Sequence, residues 1–317
     1  MSSPREVWVL HDGRRGHRRQ SLALAEALAL APRELTLQPG RLARWLAPRR
    51  WPGAERALGD EFAAMLATPP ALAIGCGRVP ALATRLLRER GTRVVQILHP
   101  RIDARHWDLV IAPEHDGLSG ANLIACRGSL NPVDDVWLAN ARARFPRLAA
   151  LPGPRTAVLL GGPTPAVAFG RSAFEVLASK LEYQLAREGG SLIICGSPRT
   201  PPELAPIVRE RYCEGPGVLW MDESDGENFY AGALAFADRI IVSPDSVNMI
   251  AEACATSAPV FVAEPHRATG RVRRYIADLE ASGRVRAQTR EPEFFEAIPL
   301  RETARIAARV RERLGLD

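Results

Sequence analysis

What most constrains this chain is an alternation repeated along its length: short apolar runs rich in Val, Ile and Leu, each followed by a longer segment with apolar residues at helical spacing. A parallel sheet covered by helices on both faces produces that pattern, because its strands are buried on both sides while its helices are buried on one. Strands are predicted at 6–11, 34–38, 71–75, 93–98, 108–112 and 122–126, with helices at 17–30, 55–67 and 79–90. The segment Leu151-Pro152-Gly153-Pro154 cannot continue a helix and reads as an interdomain hinge. A second series comes after it, with strands at 155–161, 191–195, 217–221, 239–242 and 259–263 and helices at 172–188, 203–212, 227–237, 246–255 and 271–282. A last helix at 300–314 could pack on either half. The expected fold class is α/β, two Rossmann-like doubly wound domains, 1–152 and 153–317, facing a cleft at the carboxyl ends of their strands.

The 317 residues are ample for two such cores, and 46% hydrophobic with 25% charged residues excludes a disordered or fibrous chain. No apolar stretch reaches the roughly 20 residues of a membrane span. The opening MSSPREVWVL reads as a first strand and not as a secretory core, so a cytoplasmic location is expected. The five cysteines and six histidines are scattered, with no spacing that suggests a metal site. Net charge is +6, but it divides into +8 before Pro154 and −2 from there onward. The first half is therefore expected to face an anionic ligand or surface; nucleic acid is not expected, since interleaved stacking aromatics are absent.

Four turns carry the candidate chemistry. After the first strand, Asp12, Gly13, Gly16, His17 and Gln20 lie with four arginines where a helix begins. Glycines there allow close approach to a ligand and the helix N-terminus attracts an anion. His17 or Asp12 could act as general base; an imidazole titrates near pH 6.5, whereas a carboxyl would have to be raised, which favours His17. Gly161 and Gly162 repeat the device at the second half's first strand, where backbone N–H groups are expected to face a ligand. Ser197, Arg199 and Thr200 offer donors suited to phosphate oxygens, or a helix cap before proline. Finally a strand, turn and helix over 240–253 set Asp245 or Ser246 at an N-cap, Asn248 in the first turn and Glu252 two turns from Asp245, where a carboxylate can hold ribose hydroxyls or simply be an exposed helix charge. The segment Arg41–Trp51 mixes arginines with two tryptophans; a loop whose tryptophans dock on the core is the preferred reading, an interfacial segment the other.

The run Gly13-x-x-Gly16-His17, Asp245-Ser-Val-x-Met-x-x-Glu252-Ala253, Ala258-Pro259-Val-Phe-Val and Arg274-Tyr275 with Leu279-Glu280-x-x-Gly283 resembles the GT-B glycosyltransferases, notably the N-acetylglucosaminyltransferase of the lipid-linked peptidoglycan precursor. The opening Asp12-Gly13-x-x-Gly16-x-x-x-Gln20, the Gly161-Gly162-Pro163 turn and Ser197-x-Arg199-Thr200 are similar to the elongated-mitochondria fission family. That resemblance implies a UDP-type nucleotide-sugar donor on the second half, with Glu252 on the ribose and Gly162, Ser197 and Arg199 near the diphosphate. It also implies an anionic or lipid-linked acceptor near His17 and Asp12, peripheral contact of the first half with the inner face of the membrane, and no cofactor or metal. Arg14-Arg15 departs from the small residues such transferases carry. Two other activities fit the resemblance: a nucleoside-diphosphate-sugar epimerase and a non-catalytic scaffold.

Overall fold

The computed structural model describes residues 6–316; the five residues before Glu6, part of the stretch read for a leader, lie outside it. It divides into two compact units, Met1–Pro132 with Glu302–Asp317, and Val133–Arg301. The first contains β1 (Val7–His11), α1 (Arg15–Ala27), β2 (Arg33–Thr36), α2 (Arg41–Leu46), α3 (Asp60–Met65), β3 (Leu72–Cys76), α4 (Arg78–Arg88), β4 (Arg93–Ile97), β5 (Leu109–Pro113) and β6 (Leu123–Cys126). The second contains α5 (Asp135–Arg144), β7 (Arg155–Leu159), α6 (Arg171–Glu188), β8 (Ser191–Cys195), α7 (Leu204–Tyr212), β9 (Gly217–Trp220), α8 (Tyr230–Phe236), β10 (Arg239–Val242), α9 (Val247–Cys254), β11 (Val260–Val262), α10 (Gly270–Ala281) and β12 (Val285–Ala287). The final helix, α11 (Glu302–Leu314), belongs to the first unit, where Ile306, Ala307 and Val310 join the core of α1 and β1.

Each unit holds a six-stranded sheet, ordered β2-β1-β3-β4-β5-β6 and β12-β11-β10-β7-β8-β9, and every pairing is parallel. The strands form because β1, β3, β5 and β8 are buried along their whole length, which β-branched and aliphatic side chains satisfy on both faces. In each sheet the chain reverses its direction of winding once, beside β1 and β3 in the first and between β7 and β10 in the second. Those switch points open a crevice at the strand carboxyl ends.

The unit boundary falls some twenty residues before the Pro-Gly segment marked by the sequence. Val133, Leu138, Ala141, Phe145 and Leu148 pack into the core of the second unit, so the Leu151–Pro154 turn lies inside it, not between the two. Three elements escape the periodicity. The helix α2 buries only Ala43, α5 buries only Leu138 and Ala141, and β12 buries one residue of three. The predicted helix 55–67 is shortened to α3 after a single tight turn, Arg56–Leu58.

Candidate functional site

At the switch point of the first unit, β1 ends in His11 and the chain turns through Asp12 and Gly13 into α1. Gly13 has a φ of +79°, and its N–H donates to Nδ1 of buried His11 over 3.2 Å, closing the turn. One helical turn on, His17 Nδ1 lies 3.0 Å from Asp12 Oδ1, and the imidazole keeps 18% of its surface open. Burial pushes the Asp12 carboxyl up, but the hydrogen bond and charge of His17, with the amide and guanidinium of Arg14, bring it below the ordinary carboxylate range. Asp12 is thus an anion whose carboxylate holds the imidazole of His17 by Nδ1. The ring rests on Gly77, the residue between β3 and α4. A Cβ there would come within 2.5 Å of His17 Cε1, and its φ of +89° is itself a glycine conformation. Gly77 was not singled out from sequence, although strand, glycine and helix in succession at 72–88 are the same signal as at Gly13.

Other members of this turn take different roles. Gly16 sits inside the first turn of α1 and not in the loop, and Gln20 is buried on the helix. Of the four arginines, Arg18 is committed to Glu34 of β2, with 2.6 and 2.8 Å bonds. Arg14 Nε lies 3.5 Å from Asp12 Oδ2. Burial, the largest influence, holds His11 below the ordinary imidazole range in spite of Glu34, 3.6 Å away.

At the switch point of the second unit Gly161, Ser197, Arg199, Thr200 and Asp245, five of the sequence-predicted residues, meet in a single knot. Ser243, directly after β10, donates through Oγ to Asp245 Oδ1 (2.6 Å) and accepts the Gly161 N–H (2.8 Å). The Asp245 side chain is 0% exposed and receives Arg199 Nη2 at 2.6 Å; Arg199 itself is 47% exposed. Gly161 is required because a Cβ would stand 2.1 Å from Asp245 Oδ2. Thr200 Oγ1 accepts the Ser197 N–H (2.8 Å) and donates to the Leu160 carbonyl (2.9 Å), while Ser197 Oγ accepts the Arg199 N–H at 3.3 Å. Ser246 caps α9 by accepting the Met249 N–H at 3.3 Å.

This arrangement corrects two expectations, and for Glu252 it removes one of two readings. Gly161 and Gly162 are both buried and closely packed, a Cβ on Gly162 meeting the Arg199 carbonyl, and the Gly161 N–H is spent on Ser243 and is not presented to a ligand. The hydroxyl of Thr200 closes its own turn. Glu252 is no exposed helix charge: it is 4% exposed and accepts a 2.6 Å bond from the Tyr230 hydroxyl on α8. Asn248 is half-buried in the first turn of α9. Ser243 and Tyr230 were the residues the sequence did not single out. In the first unit, Trp45 is exposed and undocked, whereas Trp51 is half-buried against the core, so the docking expected of both holds for one. Among the described residues no group of three or more His, Cys, Asp or Glu is arranged to hold a metal ion.

A family model described as mitochondrial fission ELM1 matches residues 15–314. The mitochondrial fission protein ELM1 of Arabidopsis thaliana is 29% identical over 277 residues, 78% of this chain and 64% of that protein, so the chain spans a little under two thirds of the plant protein's length. Among solved structures, MurG of Acinetobacter baumannii superposes with a TM-score of 0.51 at 15% identity, covering 98% of this chain and 90% of that one. A glycosyltransferase of Rickettsia africae gives 0.53 at 10% identity over the whole of both chains. At these identities the likeness shows the fold: two Rossmann-like domains of the GT-B type.

Proposed function

The chain belongs to the mitochondrial fission ELM1 family, and on that premise we propose that it is a nucleotide-sugar-dependent glycosyltransferase. In this reading the second unit takes a UDP-type donor, and the first supplies the base for an acceptor hydroxyl, carried on an anionic, lipid-linked molecule at the cytoplasmic face of a membrane. Among the described residues no helix is long and apolar enough to cross a membrane, so contact with one would be peripheral.

The observation that carries the reading is the Asp12–His17 couple. With Asp12 accepting Nδ1–H at 3.0 Å, Nε2 of His17 holds the lone pair. It takes the acceptor's hydroxyl proton as the oxygen bonds to the anomeric carbon and the bond from that carbon to the diphosphate breaks. Charge on the departing diphosphate is met by the N-terminus of α9, capped by Ser246, and by the half-exposed guanidinium of Arg199. Glu252, oriented by Tyr230, is the candidate partner of the ribose hydroxyls.

A non-catalytic binding scaffold is the second reading, favoured by the commitment of Arg199 and Thr200 to contacts inside the protein. A thermal-shift screen of the full chain against UDP, GDP and ADP and their sugars, with a further assay of nucleoside diphosphate release, tests both. The transferase reading expects UDP binding that Glu252→Ala weakens, and acceptor-dependent release that His17→Ala lowers on the order of 100-fold or more with donor binding retained. No binding by any nucleotide supports the scaffold; release without acceptor points to epimerisation or hydrolysis.

A further inference from the structure

We propose that α2 and the turn after it form a docking surface for an anionic phospholipid bilayer. Leu42 and Trp45, three residues apart, share one face of α2 and point outward, 53% and 76% exposed, while Ala43 and Ala47 pack inward. Arg41, Arg44 and Arg49 surround them, all exposed, and from Gln38 to Ala54 the chain has no acidic residue. Among the described residues, none of these three arginines pairs with a carboxylate; Arg50 does, with Glu89 at 2.5 Å. An indole on the outer face with guanidinium groups beside it matches a headgroup layer, where the ring enters the acyl boundary and the arginines meet phosphates.

The outward pose is imposed by the fold. Arg78 of α4 donates to the carbonyls of Trp45 (3.0 Å) and Ala47 (2.7 and 3.1 Å), and Arg85 of the same helix donates to that of Pro48 (2.6 Å). These bonds satisfy the carbonyls at the end of α2, so the segment cannot turn Trp45 into the core without breaking them. The chain enters α2 from the carboxyl end of β2, next to β1, and Arg78 directly follows Gly77, on which His17 rests. The surface therefore lies on the edge of the first unit that carries the Asp12–His17 couple. Delivering a lipid-linked acceptor there is a purpose that rests on the transferase reading; binding to the bilayer does not.

Co-sedimentation of the full chain with vesicles of phosphatidylcholine alone, or with about one third phosphatidylglycerol, tests the proposal. Binding is expected only to the anionic vesicles and is expected to fall with salt. The triple variant Arg41→Ala, Arg44→Ala, Arg49→Ala should lower the partition coefficient on the order of 100-fold, at roughly fivefold per arginine. Trp45→Ala should lower it roughly tenfold, and bromine-labelled acyl chains should quench the wild-type fluorescence more than that of Trp45→Ala. Two controls in the second unit should bind as wild type: Arg142→Ala, Arg171→Ala, Arg290→Ala for charge, and Phe294→Ser for exposed apolar surface. The proposal is overturned if wild type ignores anionic vesicles, if the controls fall as far as the α2 variants, or if binding to single-stranded RNA shows the same arginine dependence with none on Trp45. None of these outcomes bears on donor binding or on diphosphate release.

Discussion

Arg199 and Asp245 give the sharpest test of how the second unit is held together at its switch point. The Asp245 carboxylate lies out of water with two donors, Ser243 Oγ and Arg199 Nη2, both at 2.6 Å. Arg199→Ala removes the charged one and leaves a buried anion on a single hydroxyl. Such an orphaned charge costs about 3–5 kcal/mol when the lost partner was itself buried. Here the guanidinium is half-exposed, so water can replace part of it, and about 2 kcal/mol is the expected loss. In a unit of this size that lowers the melting temperature by roughly 4–8 °C. Asp245→Asn alone turns an amide donor toward the guanidinium and should cost about 1 kcal/mol. The double variant has neither the orphaned anion nor the facing donors, so it should lie within about 1 kcal/mol of wild type, more stable than Arg199→Ala. Melting monitored by circular dichroism for the four proteins, without nucleotide, measures this directly. If Arg199→Ala melts within a degree of wild type, or the double variant loses the sum of the two single losses, then Asp245 is not held by Arg199 in solution and the knot is not what orders the turn.

The geometry carries three further outcomes. Gly77→Ala should cost about 1–3 kcal/mol from its φ of +89° and ψ of −177°. It should also displace the His17 ring, visible as a shift of the His17 Cε1–H resonance; an unmoved resonance would contradict the packing. Native protein should react with Ellman's reagent at Cys213 alone, since Cys76, Cys126, Cys195 and Cys254 are buried and burial raises the thiols of Cys126 and Cys254 to about 12; denaturant should expose all five. His11 is held neutral by burial, so below its unfolded value of about 6.5 the unfolded chain binds the extra proton and the folded one resists it. That contribution is present above about pH 6.5 and is lost as pH falls, so melting temperature should drop between pH 7.5 and 5. His11→Asn, which keeps an acceptor for the Gly13 N–H, should flatten the drop; an unchanged slope would sink the assignment.

Much of the architecture was legible because a doubly wound sheet writes itself as buried aliphatic runs, and β1, β3, β7, β8 and β10 fall where the runs predict. The elements that escaped, α2, α5 and β12, bury too few residues for a period to show. The domain boundary was misplaced because prolines around a glycine mark a turn and not what packs on either side of it. It is the packing of Val133, Leu138, Ala141, Phe145 and Leu148 into the second core, with α5 against α8, that assigns residues 133–151 to the second unit.

The candidate site divides along a similar line. Its turns were identifiable because the topology carries every βα loop to one edge of its sheet, so a polar residue just past a strand is near the crevice whatever its neighbours are. Its pairings were hidden, because β7 lies beside β10 in the sheet with β8, β9 and their helices between them in sequence. Thus Gly161 meets Ser243, Arg199 meets Asp245 and Tyr230 meets Glu252, contacts no local spacing encodes. The same adjacency explains why ligand donors were over-counted. A turn at a buried strand end leaves backbone groups that must be satisfied, and the nearest hydroxyls answer them first, as Thr200 does for Leu160 and Ser243 for Gly161. Among the described residues, the imidazole of His17 in the first unit and the outer edge of Arg199 in the second keep an open side, and on the transferase reading proposed above these are the groups that meet a ligand. Activity should accordingly be more sensitive to His17 than to any hydroxyl in the second unit's turns, while stability should show the reverse order.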